Sequence, residues 1–315
     1  MRIGTRVVRV GLPRADNGRP LTSSVTFAGT YHAAGDPSDS PYTYGRFHNP
    51  TWTQFEAALG ELEEGSALAF ASGMAAVAAV FGTTLRPGDA LVLPSDSYYT
   101  TRLLAEGFFA RMGVEVRKAP TAGGAQSSCL DGAKLLWLET PSNPGLNVCD
   151  IASLASQAHE QGALVAVDNT TATVLGQRPL ELGADFSVAS DTKGLTGHSD
   201  LVLGHVAARD RALVEKLLSW RTQTGAVPGP MEVWLAHRSL ATLEVRLERQ
   251  CRSAQAIAEY LATRTEVSSL RYPGLASDAA HEAAARQMRL YGPVVSFVLG
   301  GREPAERFLS ACELV

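Results

Sequence analysis

Cysteine is scarce in this 315-residue chain: Cys129, Cys149, Cys251 and Cys312 lie far apart, with no CxxC pair and no zinc-ligand spacing. That pattern favours free thiols in a reducing compartment, the cytoplasm, over a disulfide frame or a cysteine metal site. Long apolar runs are missing as well. No segment reaches the roughly 18 apolar residues of a membrane span, and the opening MRIGTRVVRVGLPRADNG has no signal-peptide core, so neither is expected. Nor does one sign of charge dominate. Lys and Arg number 28 against 32 Asp and Glu, a formal net charge of -4 scattered along the chain, so nucleic acid and anionic membranes are not expected partners. P-loop, GxGxxG and HExxH motifs are also lacking. A small-molecule substrate is the expectation that remains.

What is present is a large potential core. Hydrophobic residues make up 45% of the chain and charged ones 19%, enough for one large domain and part of a second. From Ala67 to Val206, short apolar runs alternate with helical patterns, as in a mostly parallel sheet covered on both faces. Seven strands are expected: ALAFA from Ala67, ALVLP from Ala90, VEVRK from Val114, KLLWLE from Lys134, ALVAV from Ala163, FSVAS from Phe186 and VLGHVA from Val202. Trp52, Phe55, Leu59 and Leu62 recur at helical spacing behind Thr51, the expected N-cap, with Gln54 closing a capping box. A second helix, apolar all round, follows Ser72 over residues 73–85.

Residues 1–45 are rich in Gly, Pro, Ser and Thr and read as an extended arm that needs a partner to lie on. Thr121–Gly132 reads as a surface loop without chemistry, and one helical pattern runs from Met231 to about Thr263. A strand-like VVSFVLG from Val294 follows. The expected division is an arm over 1–45, a doubly wound α/β domain over 46–238 and an incomplete C-terminal domain over 239–315.

Several strand ends carry polar groups. In SVASDTKGLTGHSD, Lys193 follows a strand beside a glycine-rich turn, where open α/β sheets place ligands and where a desolvated amine is suited to imine formation. Ser190 and Thr192 can donate to a phosphate; the competing reading is a surface turn lysine. Asp168 ends the apolar run of LVAVDNTTAT, where a carboxylate is costly unless paired, and a pyridinium nitrogen would pair it; a turn-capping Asp is the alternative. In FASGMAAVAAV, a helix starts after Ser72 and Gly73 and offers free N–H groups to a phosphate, or is an ordinary strand-to-helix turn. WLETPSNPG holds Asn143 between Pro141 and Pro144, rigid enough to meet a phenolic oxygen or a carboxylate, or a stiff loop only. Tyr42, Tyr44 and Arg46 in YTYGRFHNPT suit a phosphate, though such loops are as often packing, and Tyr98 in PSDSYYTTR could stack on an aromatic cofactor. Together these features fit a single cofactor.

YGRFHNPT, SGMAA, ETPSNP, VDNT and SDTKGLTGHSD, in this order, resemble the signatures of the Cys/Met-metabolism pyridoxal-5'-phosphate (PLP) enzymes, the cystathionine γ-synthase and γ-lyase family. RYPGL from Arg271 and the VVSFVLGG run extend the resemblance from about Gly4 to the last residue. It implies the PLP-dependent transferase fold of type I, with an α+β C-terminal domain, and PLP held as a Schiff base on Lys193. It further implies Asp168 as partner of the ring nitrogen, Gly73, Met74, Ser190 and Thr192 as phosphate ligands, and Tyr98 stacked on the ring. Asn143 would lie beside the phenolic oxygen and the substrate carboxylate. Lys193, Tyr98 and Asp168 would be catalytic, while Tyr44 and Arg46 would reach the phosphate of a neighbouring subunit in a homo-oligomer, a tetramer built as a dimer of dimers.

The implied activity is that of a carbon–sulfur lyase acting on cystathionine. Cystathionine γ-synthase or an O-acylhomoserine sulfhydrylase comes next, then a β-lyase or methionine γ-lyase, and most remotely a non-catalytic PLP-binding protein. Two departures stand out. Tyr99-Thr100-Thr101 replaces the usual Gly-Gly-Thr after the stacking tyrosine, altering the wall near the substrate and lacking the cysteine usual there in methionine γ-lyases. The family pattern also continues beyond the position of Val315 to an arginine for the substrate carboxylate that has no match here, hence the expectation of an incomplete C-terminal domain.

Overall fold

The seven apolar runs do assemble into one sheet. A computed structural model describes residues 2–313, with strands β1 (Ser66–Phe70), β2 (Ala90–Pro94), β3 (Glu115–Ala119), β4 (Ala133–Glu139), β5 (Leu164–Asp168), β6 (Phe186–Ala189) and β7 (Gly204–Ala208). Their order is β1-β7-β6-β5-β4-β2-β3; β7 is antiparallel to both neighbours and the other pairings are parallel. β7 starts two residues later than the apolar run suggests. The reason is local: Leu203 N donates to Thr192 Oγ1, and Leu203 O accepts from Thr192 N, so Leu203 belongs to the turn before the strand.

Both faces of the sheet are buried, which is why its central strands are nearly uniformly apolar. Alternation along β4 sends Leu135 and Trp137 to one face and Leu136 and Leu138 to the other. On the first face lie α2 (Gly73–Thr84) and α4 (Arg211–Thr224), where Phe81 meets Trp137 edge-on at 5.2 Å between centroids. The opposite face is covered in two parts. α3 (Ile151–Glu160) packs on β4 and β5, while α1 (Pro50–Glu63), α5 (Pro230–Leu240) and α6 (Leu243–Leu261) enclose a core with Trp52, Phe55, Leu59 and Leu62. Each such fully buried large side chain contributes about 1.5–3 kcal/mol.

Three local expectations are corrected. Asn49, not Thr51, caps α1: its side chain accepts from Thr51 N at 2.8 Å and Pro50 takes the first helical position, so no capping box forms at Gln54. The freed Thr51 hydroxyl instead accepts from Thr26 N at 2.9 Å, tying down part of the arm. The single helical pattern after Met231 breaks at Ala241–Thr242. There Ser239 O takes bonds from Thr242 N, Thr242 Oγ1 and Arg246 Nη2, a tight turn in place of the helical ladder. Thr121–Gly132 is not an open loop, since tight helical turns span Ala122–Cys129 and Thr121 and Gln126 are buried.

The arm is divided. Val7 and Val10 are buried in the core with Trp52 and Phe55, so the start of the arm around them packs on its own chain. Beyond them Leu21 is 86% exposed and Phe27 74% exposed, and among the described residues the stretch makes one strand-type pairing, an isolated bridge from Thr30 to Tyr44. In the C-terminal region, β9 (Ser296–Leu299) matches the expected run, and it pairs antiparallel with β8 (Val267–Arg271). β8 escapes sequence reading because VSSLR is largely polar and only partly buried. No described helix is long and apolar enough to cross a membrane.

Candidate active site

β1, β2, β4, β5 and β6 all end at the same edge of the sheet, so the groups that follow them converge. They line a cavity of about 480 Å³ whose walls include Gly73, Met74, Tyr98, Asn143, Asp168, Ser190, Thr192 and Lys193. Eight of the ten expected site residues thus share one space. Tyr44 and Arg46 are not among its walls: the Arg46 guanidinium lies over the rings of Tyr44 and Phe47, at 5.3 and 5.1 Å, and donates to Thr222 O. Tyr42 packs against Tyr31, with ring centroids 5.5 Å apart. Lys193 is exposed, because beside it the cavity opens into a groove of about 920 Å³ bordered by Ala71, Ser199, Asp200, Pro228 and Gly229. The desolvation expected for its amine is therefore not supplied by this chain's own walls.

The cavity floor holds a carboxylate that sequence reading passed over. Glu139 ends β4 directly opposite Asp168 at the end of β5. Its Oε2 accepts from Tyr98 N at 2.6 Å and its Oε1 from Asn143 N at 2.9 Å, so one side chain fixes both of those walls. Burial, with the nearby Asp168 charge, pushes Glu139 up to about 8. Asp168 is likewise raised by burial, against the hydrogen bond its Oδ1 accepts from Thr170 N at 3.0 Å. A cation at this floor would relieve both groups. The signal for Glu139 was available: LLWLE ends in a carboxylate as LVAVD does, and the argument from cost applies to both.

Asp96 braces the same loops from behind. It accepts from Thr121 N and Oγ1, Ser142 Oγ and Asn147 Nδ2, all within 2.9 Å. Burial would raise its carboxyl, but these bonds outweigh burial and hold it below the usual range. Arg271 Nη1 donates to Asn147 Oδ1 at 2.9 Å, which links β8 to the Pro141–Pro144 loop.

A phosphate has a fitting place at the start of α2. The Ser72 hydroxyl caps that helix by accepting from Ala75 N at 3.0 Å, leaving the N–H groups of Gly73 and Met74 outside the helical ladder. A Cβ on Gly73 would stand 2.7 Å from Ser190 Cβ and would fill the cradle between them. Ser190 Oγ forms no hydrogen bond among the described residues, whereas the single O–H of Thr192 donates to Leu203 O at 3.1 Å. The donor set therefore fits a phosphate through Gly73, Met74 and Ser190, and the floor carboxylates fit a protonated ring nitrogen.

The sequence pattern of the Cys/Met metabolism PLP-dependent enzymes matches residues 6–315. A Streptomyces coelicolor protein provisionally named cystathionine gamma-lyase is 56% identical over 317 residues, covering 99% of this chain and 80% of that protein. Cystathionine gamma-synthase of Mycobacterium tuberculosis is 42% identical, covering 84% of this chain and 69% of its own length. The crystal structure of the cystathionine gamma lyase CalE6 from Micromonospora echinospora superposes with a TM-score of 0.93 at 38% identity, covering all of this chain and 83% of that one.

The two hydroxyls flanking Asp191 should behave differently. Ser190→Ala should weaken PLP affinity about tenfold, as loss of one bond to a charged group predicts. Thr192→Val should lower the melting temperature more than it lowers affinity, since its hydroxyl serves Leu203. Equal affinity losses, measured by cofactor titration of the apoprotein, would contradict this division.

Proposed function

Because the chain belongs to the family of Cys/Met metabolism PLP-dependent enzymes, we propose that it cleaves cystathionine, with water, to cysteine, 2-oxobutyrate and ammonia. The observation that carries this reading is the convergence of Lys193, Asp168, Tyr98 and Asn143 on one cavity at the carboxyl edge of the sheet. Bound PLP supplies the sink for the electrons left on the substrate α-carbon when its proton departs. The rest falls to the chain. Lys193 Nζ would be the nucleophile that holds the cofactor aldehyde, and its free amine would be the base placed to take the α-proton. Asp168 would keep a proton on the ring nitrogen. Tyr98, its backbone fixed by Glu139, would cover the ring, and Asn143, held by the same carboxyl group, would orient the substrate carboxylate.

A γ-lyase is favoured over a γ-synthase by the greater identity to the Streptomyces protein than to the mycobacterial synthase. The four free thiols support a reducing, cytoplasmic setting. The exposed stretch of the arm supports a homo-oligomer, a tetramer made from two dimers. Leu21 and Phe27 find no cover among the described residues, Arg46 donates to Thr222 O and does not line its own cavity, and the groove beside Lys193 is open. A second copy's arm would fill that groove and bring its Tyr44 and Arg46 to the phosphate.

With cystathionine, the holoenzyme should release cysteine and 2-oxobutyrate faster than it forms cystathionine from an O-acylhomoserine and cysteine. Faster synthesis would replace the lyase reading with the synthase one, pyruvate with homocysteine would mark a β-lyase, and no turnover would mark a non-catalytic PLP protein. Co-assembling inactive Lys193→Ala and Arg46→Ala chains should restore part of the activity through hybrid sites. Hybrids no more active than either parent would confine Arg46 to its own subunit.

A further inference from the structure

His205 is buried between two carboxylates beneath the turn that carries Lys193. Alternation along β7 places Val206 on the α2 side with the cavity, and His205 with Ala207 on the opposite face under α1. His205 Nδ1 lies 2.6 Å from Asp191 Oδ1 and Nε2 lies 3.2 Å from Glu63 Oε1, and all three side chains are at most 1% exposed. A neutral imidazole has one N–H and would leave the other nitrogen facing a carboxylate oxygen; the imidazolium satisfies both contacts. Asp191 in turn anchors the turn. Its carbonyl accepts from Thr196 Oγ1 at 2.8 Å, and Gly197 N closes on Lys193 O at 2.9 Å.

We propose that His205, as an imidazolium, is a positioning residue that fixes the Lys193-bearing turn through Asp191 and so sets where the lysine amine stands in the cavity. This rests on Lys193 being the covalent anchor of the cofactor. The charged groups around His205 are Asp191 from the turn and Glu63 from the end of α1, with Asp168 farther off across the sheet. The Glu56–Arg221 pair holds Ala69, the residue opposite His205 on β1. Burial works against the imidazolium, but the charges and hydrogen bonds of Asp191 and Glu63 outweigh it and push the group up to about 10. A folded-state value above the unfolded one, about 6.5, means that the stabilisation is complete below that pH and is lost as pH rises toward 10. The anchor therefore holds throughout the neutral range.

The test compares holoenzymes of the wild type, the double variant Asp191→Asn/His205→Gln, which replaces charges with amides of similar size, and His205→Gln alone, which keeps one donor toward Asp191. Hydrogen exchange at residues 192–197 should quicken by about tenfold or more in the double variant while β4 and β5 keep wild-type protection. The pH midpoint of the visible absorption band should shift, and kcat should fall with KM within about twofold of wild type. The single variant should move the same way by less, which preserves the test should the double variant fail to fold. Unchanged exchange at the turn, or a rise spread evenly over the sheet, overturns the proposal. Persistence of the visible band in Lys193→Ala would instead sink the reading on which it rests, independently of the exchange result.

Discussion

Two carboxylates ending adjacent parallel strands set the terms for the whole site. Glu139 and Asp168 lie opposite each other at the ends of β4 and β5, where burial raises both and the Asp168 charge further raises the cost of charging Glu139. The surrounding backbone answers part of that cost: Tyr98 N and Asn143 N donate to Glu139, and Thr170 N to Asp168. The loops that form the cavity walls are therefore held by a carboxyl group of its own floor. A protonated ring nitrogen is the remaining partner such a floor calls for, and the cofactor of this family supplies one.

The sheet's antiparallel strand serves the opposite wall. β7 folds back beside β6, so the link between them, residues 190–203, must cross the carboxyl edge, and that link carries Lys193. Such a crossing is exposed and would be loose without posts. Thr192 is bound to Leu203 by backbone and hydroxyl, Arg246 reaches from α6 to Gly194 O and Leu195 O, and Asp191 is bound beneath to His205. Close approach matters too. A Cβ at Gly204 would stand 2.6 Å from Gly73 N, so the start of β7 and the start of α2 touch only because Gly204 lacks a side chain.

Much of this was legible before any coordinates. The seven strands lie within two residues of the apolar runs, because a sheet buried on both faces leaves little room for polar residues in its centre. Lys193, Asp168 and Asn143 were visible as polar groups in places where polarity needs a reason. What sequence could not carry was pairing at a distance. Glu139 carried the same strand-end signal as Asp168, but that the two stand opposite each other follows only from the strand register, and Asp96 and Asn147 were unremarkable loop residues until they met. His205 sat inside an apolar run, and only the return of the chain at Asp191 and the end of α1 gave it two partners. The cap of α1 fell to Asn49 rather than Thr51 for a local reason, since Pro50 fixes the first helical position and the cap must precede it.

The central claim is that the cofactor is bound covalently at one lysine among several basic groups. Reducing the holoenzyme with borohydride, digesting it and mapping the pyridoxyl mass by peptide sequencing tests this most directly. The adduct should fall on Lys193 alone, the lysine that lines the cavity. An adduct on Lys118, Lys134 or Lys216, or none at all, would contradict the account.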